Sequence, residues 1–343
     1  MLIPRRPVSI IAPLLLINFF FVDTRAGEQP ATVPSSSFTN PILTERDFAD
    51  PWVVQHNGNY YFTGTLGDGI WIWKSKTLSN LNDAEHVKAF DPPKSGPMSK
   101  QIWAPEFYHI DGRWYLYFTA SDGEDRNHRH YVMQSAGDDP LGPYEMKGRV
   151  DDYDDYAIDG SVLQLPDGRR YWMYTTGKLE IALMSSPLKV DTSKRAVMAE
   201  ATKVWERTWI EGPEALIHDG RVFVVYSAGH SGTPHYVLGL LELTGDDPLD
   251  PKSWTKHPGP VFAPHVSAEG SVFTVGHNGF TKSPDGKEDW IVYHAKDWRG
   301  REDDFFAGRT VRAQKFGWTN DGLPDFGKPI PTGIPIAKPS GER

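Results

Sequence analysis

The sequence predicts an all-β protein folded as a five-bladed β-propeller, and three observations carry that prediction. One layout recurs five times along the chain: a polar head, an apolar run, a turn pair ending in Gly, and an aromatic strand, the mark of repeated supersecondary units. From about Asn40 to Pro331, short runs of Val, Ile, Tyr, Phe and Trp alternate with Gly, Pro and Asp turns, and no amphipathic helix of three turns or more interrupts them. Pro and Gly fall where a propeller accepts them. Pro51, Pro105 and Pro213 sit on strands nearest the axis, which are sheet edges, and Gly160, Gly212 and Gly276 sit where five strands crowd together. A β-sandwich accounts for short strands but not for five units with matching polar heads.

Taken in order, residues 1–26 read as a cleaved secretory signal. Arg5 and Arg6 precede an apolar run from Val8 to Val22, and Thr24-Arg25-Ala26 offers small residues for cleavage. The run is shorter than the roughly 20 residues that span a bilayer. Residues 27–39, rich in Pro, Ser and Thr, read as a flexible, exposed lead-in. Residues 40–343 read as a single propeller domain.

Within it, Asp50-Pro51-Trp52 leads to the turn Asn57-Gly58, and Trp103-Ala104-Pro105-Glu106 leads to Asp111-Gly112. Asp159-Gly160-Ser161 leads to Asp167-Gly168, Glu211-Gly212-Pro213 to Asp219-Gly220, and Gly276-His277-Asn278 to Asp285-Gly286. Head and turn are eight residues apart in the last four copies and seven in the first, which aligns Glu211 with Asp50 and Asp159. Strands are expected over 52–54, 60–64 and 70–75, then 107–110, 114–120 and 131–135, with a fourth per blade. The heads are then expected around one mouth of the central channel.

Composition narrows the chemistry. A net charge of −9 argues against nucleic acid as a partner, and the absence of Cys excludes disulfides, thiolate catalysis and thiolate metal sites. Three heads are carboxylates, Asp50, Asp159 and Glu211. Gathering three acids in one pocket costs free energy through repulsion and desolvation, and it splits their protonation, so that one carboxyl stays protonated while another is ionised. Glycoside hydrolysis needs that split.

The blocks Ala49-Asp50-Pro51-Trp52, Trp103-Ala104-Pro105-Glu106, Asp159-Gly160-Ser161 and Glu211-Gly212-Pro213, in that order, resemble the signature blocks of glycoside hydrolase family 43. The resemblance covers roughly residues 40–332. It implies a five-bladed propeller and an inverting mechanism, with Asp50 as general base, Glu211 as general acid and Asp159 orienting Glu211 and raising its pKa. Glu214 competes for the acid role, but the family motif places the acid directly before Gly-Pro. Inversion implies a spacing of roughly 6.5–9.5 Å between the two working carboxyls.

Arg309, in Gly308-Arg309-Thr310, matches the segment that sends a guanidinium into the sugar pocket, while Arg312 reads as a solvated strand arginine. Trp103 and Trp73 are candidates for stacking on a sugar. His277 is the candidate for holding a structural calcium ion in the channel through water, with no cofactor needed for catalysis. His128 and His130 read as part of a solvated polar stretch.

The stretches 131–150, 238–254 and 311–329 look most like exo-acting α-L-arabinofuranosidases. The resemblance therefore implies an enzyme acting on plant cell-wall arabinan or arabinoxylan oligosaccharides, and the signal at residues 1–26, with no later stretch apolar enough to span a bilayer, makes it a secreted, extracellular one with no membrane partner. Ile210 and Thr274-Val275 depart from the pattern of some relatives near the acid and the Gly-His pair. A β-xylosidase of the same fold is the nearest alternative, and a non-catalytic sugar-binding propeller is the alternative of a different class.

Overall fold

The structure, a computed structural model, describes residues 36–44, 47–298 and 306–342. The expected signal, residues 1–26, and residues 27–35 of the expected lead-in lie outside the described residues. Five antiparallel sheets follow one another along the chain, each with its strands hydrogen-bonded in sequence order, the arrangement of a five-bladed propeller. The innermost strands are Ala49–His56, Lys100–Ile110, Ile158–Gln164, Ile210–His218 and Gly270–Lys282. Expected strand positions agree with those found, although the inner strands start earlier than their hydrophobic runs suggest, because residues ahead of those runs, such as Ala49 and Lys100, also pair. No helix among the described residues is long and apolar enough to cross a membrane.

Blades pack through aromatic and aliphatic faces. Among the described residues the buried apolar side chains form five clusters, one for each pair of neighbouring blades, the last joining the fifth blade back to the first. The end of the expected lead-in helps to close this ring. Ser37 and Phe38 pair with Ala337 and Ile336, and Phe38 is buried against Trp290. Its Pro- and Ser-rich surroundings conceal one aromatic residue that has a core to enter. Asn40 then bridges both backbone groups of Ala313 through its side-chain amide.

Each inner strand carries a bulge at the level of its head. Ala49 pairs with Thr65 and Trp52 with Thr63, so a three-residue step opposes a two-residue step; the same happens at 103–106, 158–161, 211–214 and 276–279. The residue that follows the first pair is left-handed every time: Asp50 (φ 50°), Ala104 (φ 42°), Asp159 (φ 53°), Gly212 (φ 56°) and His277 (φ 44°). Aligned on the bulge, the second and fourth copies begin at Ala104 and Gly212. Trp103 and Glu211 therefore stand one position earlier than Asp50, Asp159 and His277, which corrects the alignment by turns.

The cause is loop length. Blades one, two and four close with two-residue turns, as in His56 pairing with Asn59, whereas Gln164 pairs with Arg170 and Lys282 with Asp289 across longer loops.

Neighbouring blades are joined at these bulges. Thr65 Oγ1 accepts the Ala104 N–H (2.8 Å), Ser227 Oγ accepts the His277 N–H (2.8 Å), and His294 Nδ1 accepts the Asp50 N–H (3.1 Å). Thr65, Ser227 and His294 are register equivalents, each opposite the residue before its own blade's bulge. At the junction of blades three and four the Gly212 N–H goes instead to Asp159 Oδ2 (3.1 Å), so the equivalent Thr175 receives none. We expect Thr65→Val to cost about 1–3 kcal/mol in denaturant unfolding, because it strands a buried donor. Thr175→Val should cost clearly less in the same measurement.

Candidate active site

The bulges decide which side chains reach the axis. A left-handed residue costs about 1–3 kcal/mol in strain, and such strain persists where surrounding structure over-determines it. Here it turns Asp50, Asp159 and His277 into one cavity of about 550 Å3, which the preceding residues Trp103, Ile158 and Glu211 also line. All five sequence heads thus share this cavity, although they come from two adjacent positions of the repeat. Its rim adds Tyr156, Trp209, His230, Phe306 and Arg309.

Asp50 is surrounded by nitrogen. Its Oδ1 lies 3.3 Å from His277 Nδ1, 3.4 Å from His294 Nδ1 and 3.7 Å from Arg309 Nη1. Burial works to raise its pKa, but His277 and the Arg309 guanidinium outweigh burial and hold the carboxyl well below the usual carboxylate range. Burial also pushes both imidazoles down, His294 to about 4, so at neutral pH the full positive charge facing Asp50 is the Arg309 guanidinium.

Glu211 experiences the opposite balance. Burial raises it to about 7, with the Asp50 charge adding to the rise, against hydrogen bonds that favour its ionised form. Those bonds come from Tyr236 Oη to Oε1 (2.7 Å) and Trp209 Nε1 to Oε2 (2.5 Å). Asp159 is pushed up well beyond its usual range, first by burial and then by Glu211 and Asp50. One pocket therefore holds an ionised carboxylate at Asp50 and protons at Glu211 and Asp159 near neutral pH, as repulsion between like charges at low dielectric requires.

Trp103 presents a ring whose back is stacked on His128, centroids 4.1 Å apart, while Tyr156 meets Trp209 edge-on at 6.2 Å. His128 and His130 are fully buried and not solvated. His128 Nδ1 donates to the Asp125 carbonyl (2.7 Å) and His130 Nδ1 meets Asp151 Oδ2 at 2.7 Å. Trp73 is not in the site. It sits on the third strand of blade one, outside the channel, with Phe48 edge-on at 5.5 Å and His86 stacked at 5.4 Å in the core shared with blade five.

Arg312 is likewise buried, bonded to Asp297 Oδ1 at 2.8 Å. Strand alternation does separate it from Arg309, but its face of the strand meets protein, not water.

Glu214 lies outside the cavity. One bulge step along the strand from Glu211, it faces Ser161 Oγ at 3.5 Å, while Tyr108 Oη bonds Glu106 at 2.5 Å and Ser161 at 3.0 Å. Burial raises both glutamates, Glu106 to about 8, so this buried cluster stays protonated at neutral pH. Among the described residues no three His, Asp or Glu side chains converge as a metal site, and His277 turns its Nδ1 to Asp50. A calcium ion held at His277 through water, as expected, would take its oxygen ligands from solvent, and no step below runs through it.

Sequence reading missed Trp209, Tyr236 and His294. Tyr236 and His294 act on a head from another strand or blade, Trp209 acts from two residues before Glu211, and no local motif marks them.

An ionised carboxylate and a protonated carboxyl in an aromatic-walled pocket on a propeller axis define the protein as a glycoside hydrolase. The chain belongs to glycosyl hydrolases family 43, whose profile matches residues 38–324. It is 33% identical over 346 residues to an extracellular exo-α-(1→5)-L-arabinofuranosidase of Streptomyces avermitilis, covering 95% of this chain and 70% of that protein. An enzyme of the same description from Streptomyces chartreusis is 33% identical, covering 80% and 87%. The crystal structure of an α-L-arabinofuranosidase from Lactobacillus brevis superposes with a TM-score of 0.79 at 32% identity, covering 87% of this chain and 98% of that one.

Trp209→Phe removes a donor that favours ionised Glu211, so the Glu211 pKa should rise further above about 7. Carboxyl titration by infrared difference spectroscopy or carbon NMR is the check, and a downward shift would contradict the geometry.

Proposed function

We propose that this protein is a secreted, inverting, exo-acting α-L-arabinofuranosidase that releases terminal L-arabinofuranose from arabinan or arabinose-decorated plant cell-wall oligosaccharides. The observation that carries the mechanism is the opposite protonation of Asp50 and Glu211 within one pocket. The likeness to exo-arabinofuranosidases at about one third identity supports the sugar. Their extracellular description, together with the signal-like residues 1–26, supports secretion.

In this reading Asp50, ionised and faced by Arg309, takes a proton from a water molecule as the water attacks the anomeric carbon. Glu211 gives its proton to the glycosidic oxygen, so the leaving sugar departs neutral, and water's oxygen ends on the opposite face. Asp159 holds the Gly212 N–H and thereby the backbone next to Glu211. Near neutral pH its protonated carboxyl adds no second negative charge beside Asp50. Trp103, braced by His128, offers an apolar face to the furanose, and Arg309 donates to sugar hydroxyls.

Glu211 works only while protonated. As pH rises through about 7 it loses that proton, and turnover of unactivated arabino-oligosaccharides should fall over that range. Asp50 stays ionised throughout and sets no acidic limb in the ordinary range.

Glu211→Gln should lose roughly 10²–10⁴-fold in rate on arabino-oligosaccharides, the usual contribution of a general acid. It should retain far more on an aryl arabinofuranoside whose leaving group needs no proton. Proton NMR of early product should show the inverted anomer of free L-arabinose; the retained anomer would sink the mechanism, and xylose as the product would sink the substrate.

A further inference from the structure

His294 stands on the second strand of blade five, Asp289–Lys296, opposite Gly276 and without exposure to solvent. Its Nδ1 accepts the Asp50 N–H at 3.1 Å. A backbone N–H can only donate, so Nδ1 carries no proton and the ring proton resides on Nε2. The bond spans the junction that closes the propeller, between the fifth blade and the first. It also holds the backbone at a residue whose φ of 50° is intrinsically unfavourable for a side chain such as aspartate.

The other face of this arrangement leads to Glu211. The His294 ring lies parallel to the Tyr236 ring, 6° between planes and 5.6 Å between centroids, and Tyr236 Oη donates to Glu211 Oε1 at 2.7 Å. Tyr236 is also pressed against the Gly276 backbone so closely that a Cβ there would fall 2.1 Å from its Cε1. The tyrosine is therefore confined by Gly276 and His294 together. A continuous line runs from the Asp50 backbone through the imidazole and the phenol ring to the Glu211 carboxyl.

We infer that His294 is a positioning residue, which fixes the Asp50 carboxylate through its backbone N–H and, through its stack on Tyr236, sets Asp50 and Glu211 relative to each other. The inference rests on the base and acid roles proposed above. His294 touches Asp50, at its N–H and 3.4 Å from Oδ1, but meets neither the sugar nor the attacking water in this scheme, so its loss should misplace Asp50 without removing it. Misplacement by about 1 Å can cost on the order of 10²-fold in rate.

The test compares His294→Leu, which removes the acceptor, with His294→Asn, whose amide oxygen can restore one near the Nδ1 position, and with Asp50→Asn as reference. On the full chain, kcat and KM are measured with 4-nitrophenyl α-L-arabinofuranoside and with an arabinotriose, with and without sodium azide. We expect His294→Leu to lower kcat by about 10²-fold on both substrates with little change in KM. The loss should match for both leaving groups because the defect lies on the side of the base.

Azide needs no base: it attacks the anomeric carbon as the nitrophenolate leaves, so it should restore turnover of the aryl substrate as an arabinosyl azide. His294→Asn should recover at least about tenfold in kcat over His294→Leu. An unchanged kcat in His294→Leu overturns the inference. So does an equal loss in both His294 variants with a lowered melting temperature and no azide rescue, the signature of a merely structural residue. If Asp50→Asn itself turns over normally, the base assignment fails first, and that result is separable from the other two.

Discussion

The hydrogen bond that one blade extends to the bulge of the next is the constraint on which the rest of this structure depends. A propeller needs each blade to meet its neighbour at a fixed rotation, and apolar clusters between sheets are non-directional and cannot set that rotation alone. The Thr65, Ser227 and His294 acceptors define it residue by residue, at the level where the inner strands also carry their left-handed residues. Strain at the bulge is tolerable because each held N–H is satisfied. That strain is also what points side chains from separate blades at one axis.

Two junctions depart from this pattern: between blades two and three the equivalent Thr119 hydroxyl makes no such bond, and the other departure lies where the chemistry lies. At the junction of blades three and four, an aspartate carboxyl oxygen has taken the place of the hydroxyl as acceptor, so Asp159 ties the site directly to the scaffold. Gly212, left-handed at φ 56°, donates that bond from its N–H, and a Cβ added there would lie 3.1 Å from His277 Nδ1 and crowd the imidazole. The same backbone contact therefore positions the residue beside Glu211 and brings the third carboxyl close to it. Electrostatics follow from this crowding: one carboxylate with a guanidinium beside it takes the negative charge, and the others keep their protons. The protonated Glu106 and Glu214, outside the cavity, avoid placing further charge nearby.

Much of this was legible from residues alone, and the failures have specific causes. Asp50, Trp103, Asp159, Glu211, His277 and Arg309 all reach one pocket, as expected from heads that recur at the period of a blade. Turn residues place Trp103 and Glu211 one position away from their bulge-aligned equivalents because turn length differs among blades. Trp73, Arg312, His128 and His130 were misplaced for a different reason. Residue type and strand alternation specify which of two faces a side chain takes, but not whether that face meets solvent, the channel or the next blade.

The sequence by itself determined the number of blades and the presence of three acids at the heads. These are properties of local pattern and period, which a single chain displays without folding. Only the tertiary structure decided which acid holds the charge, since the pKa of a carboxyl depends on burial and on Arg309 and Tyr236 arriving from elsewhere in the chain. It likewise decided the role of His294, which lies 244 residues from Asp50 and touches it only because the propeller closes. Contact across that separation is a consequence of ring closure, and no local stretch of sequence contains it.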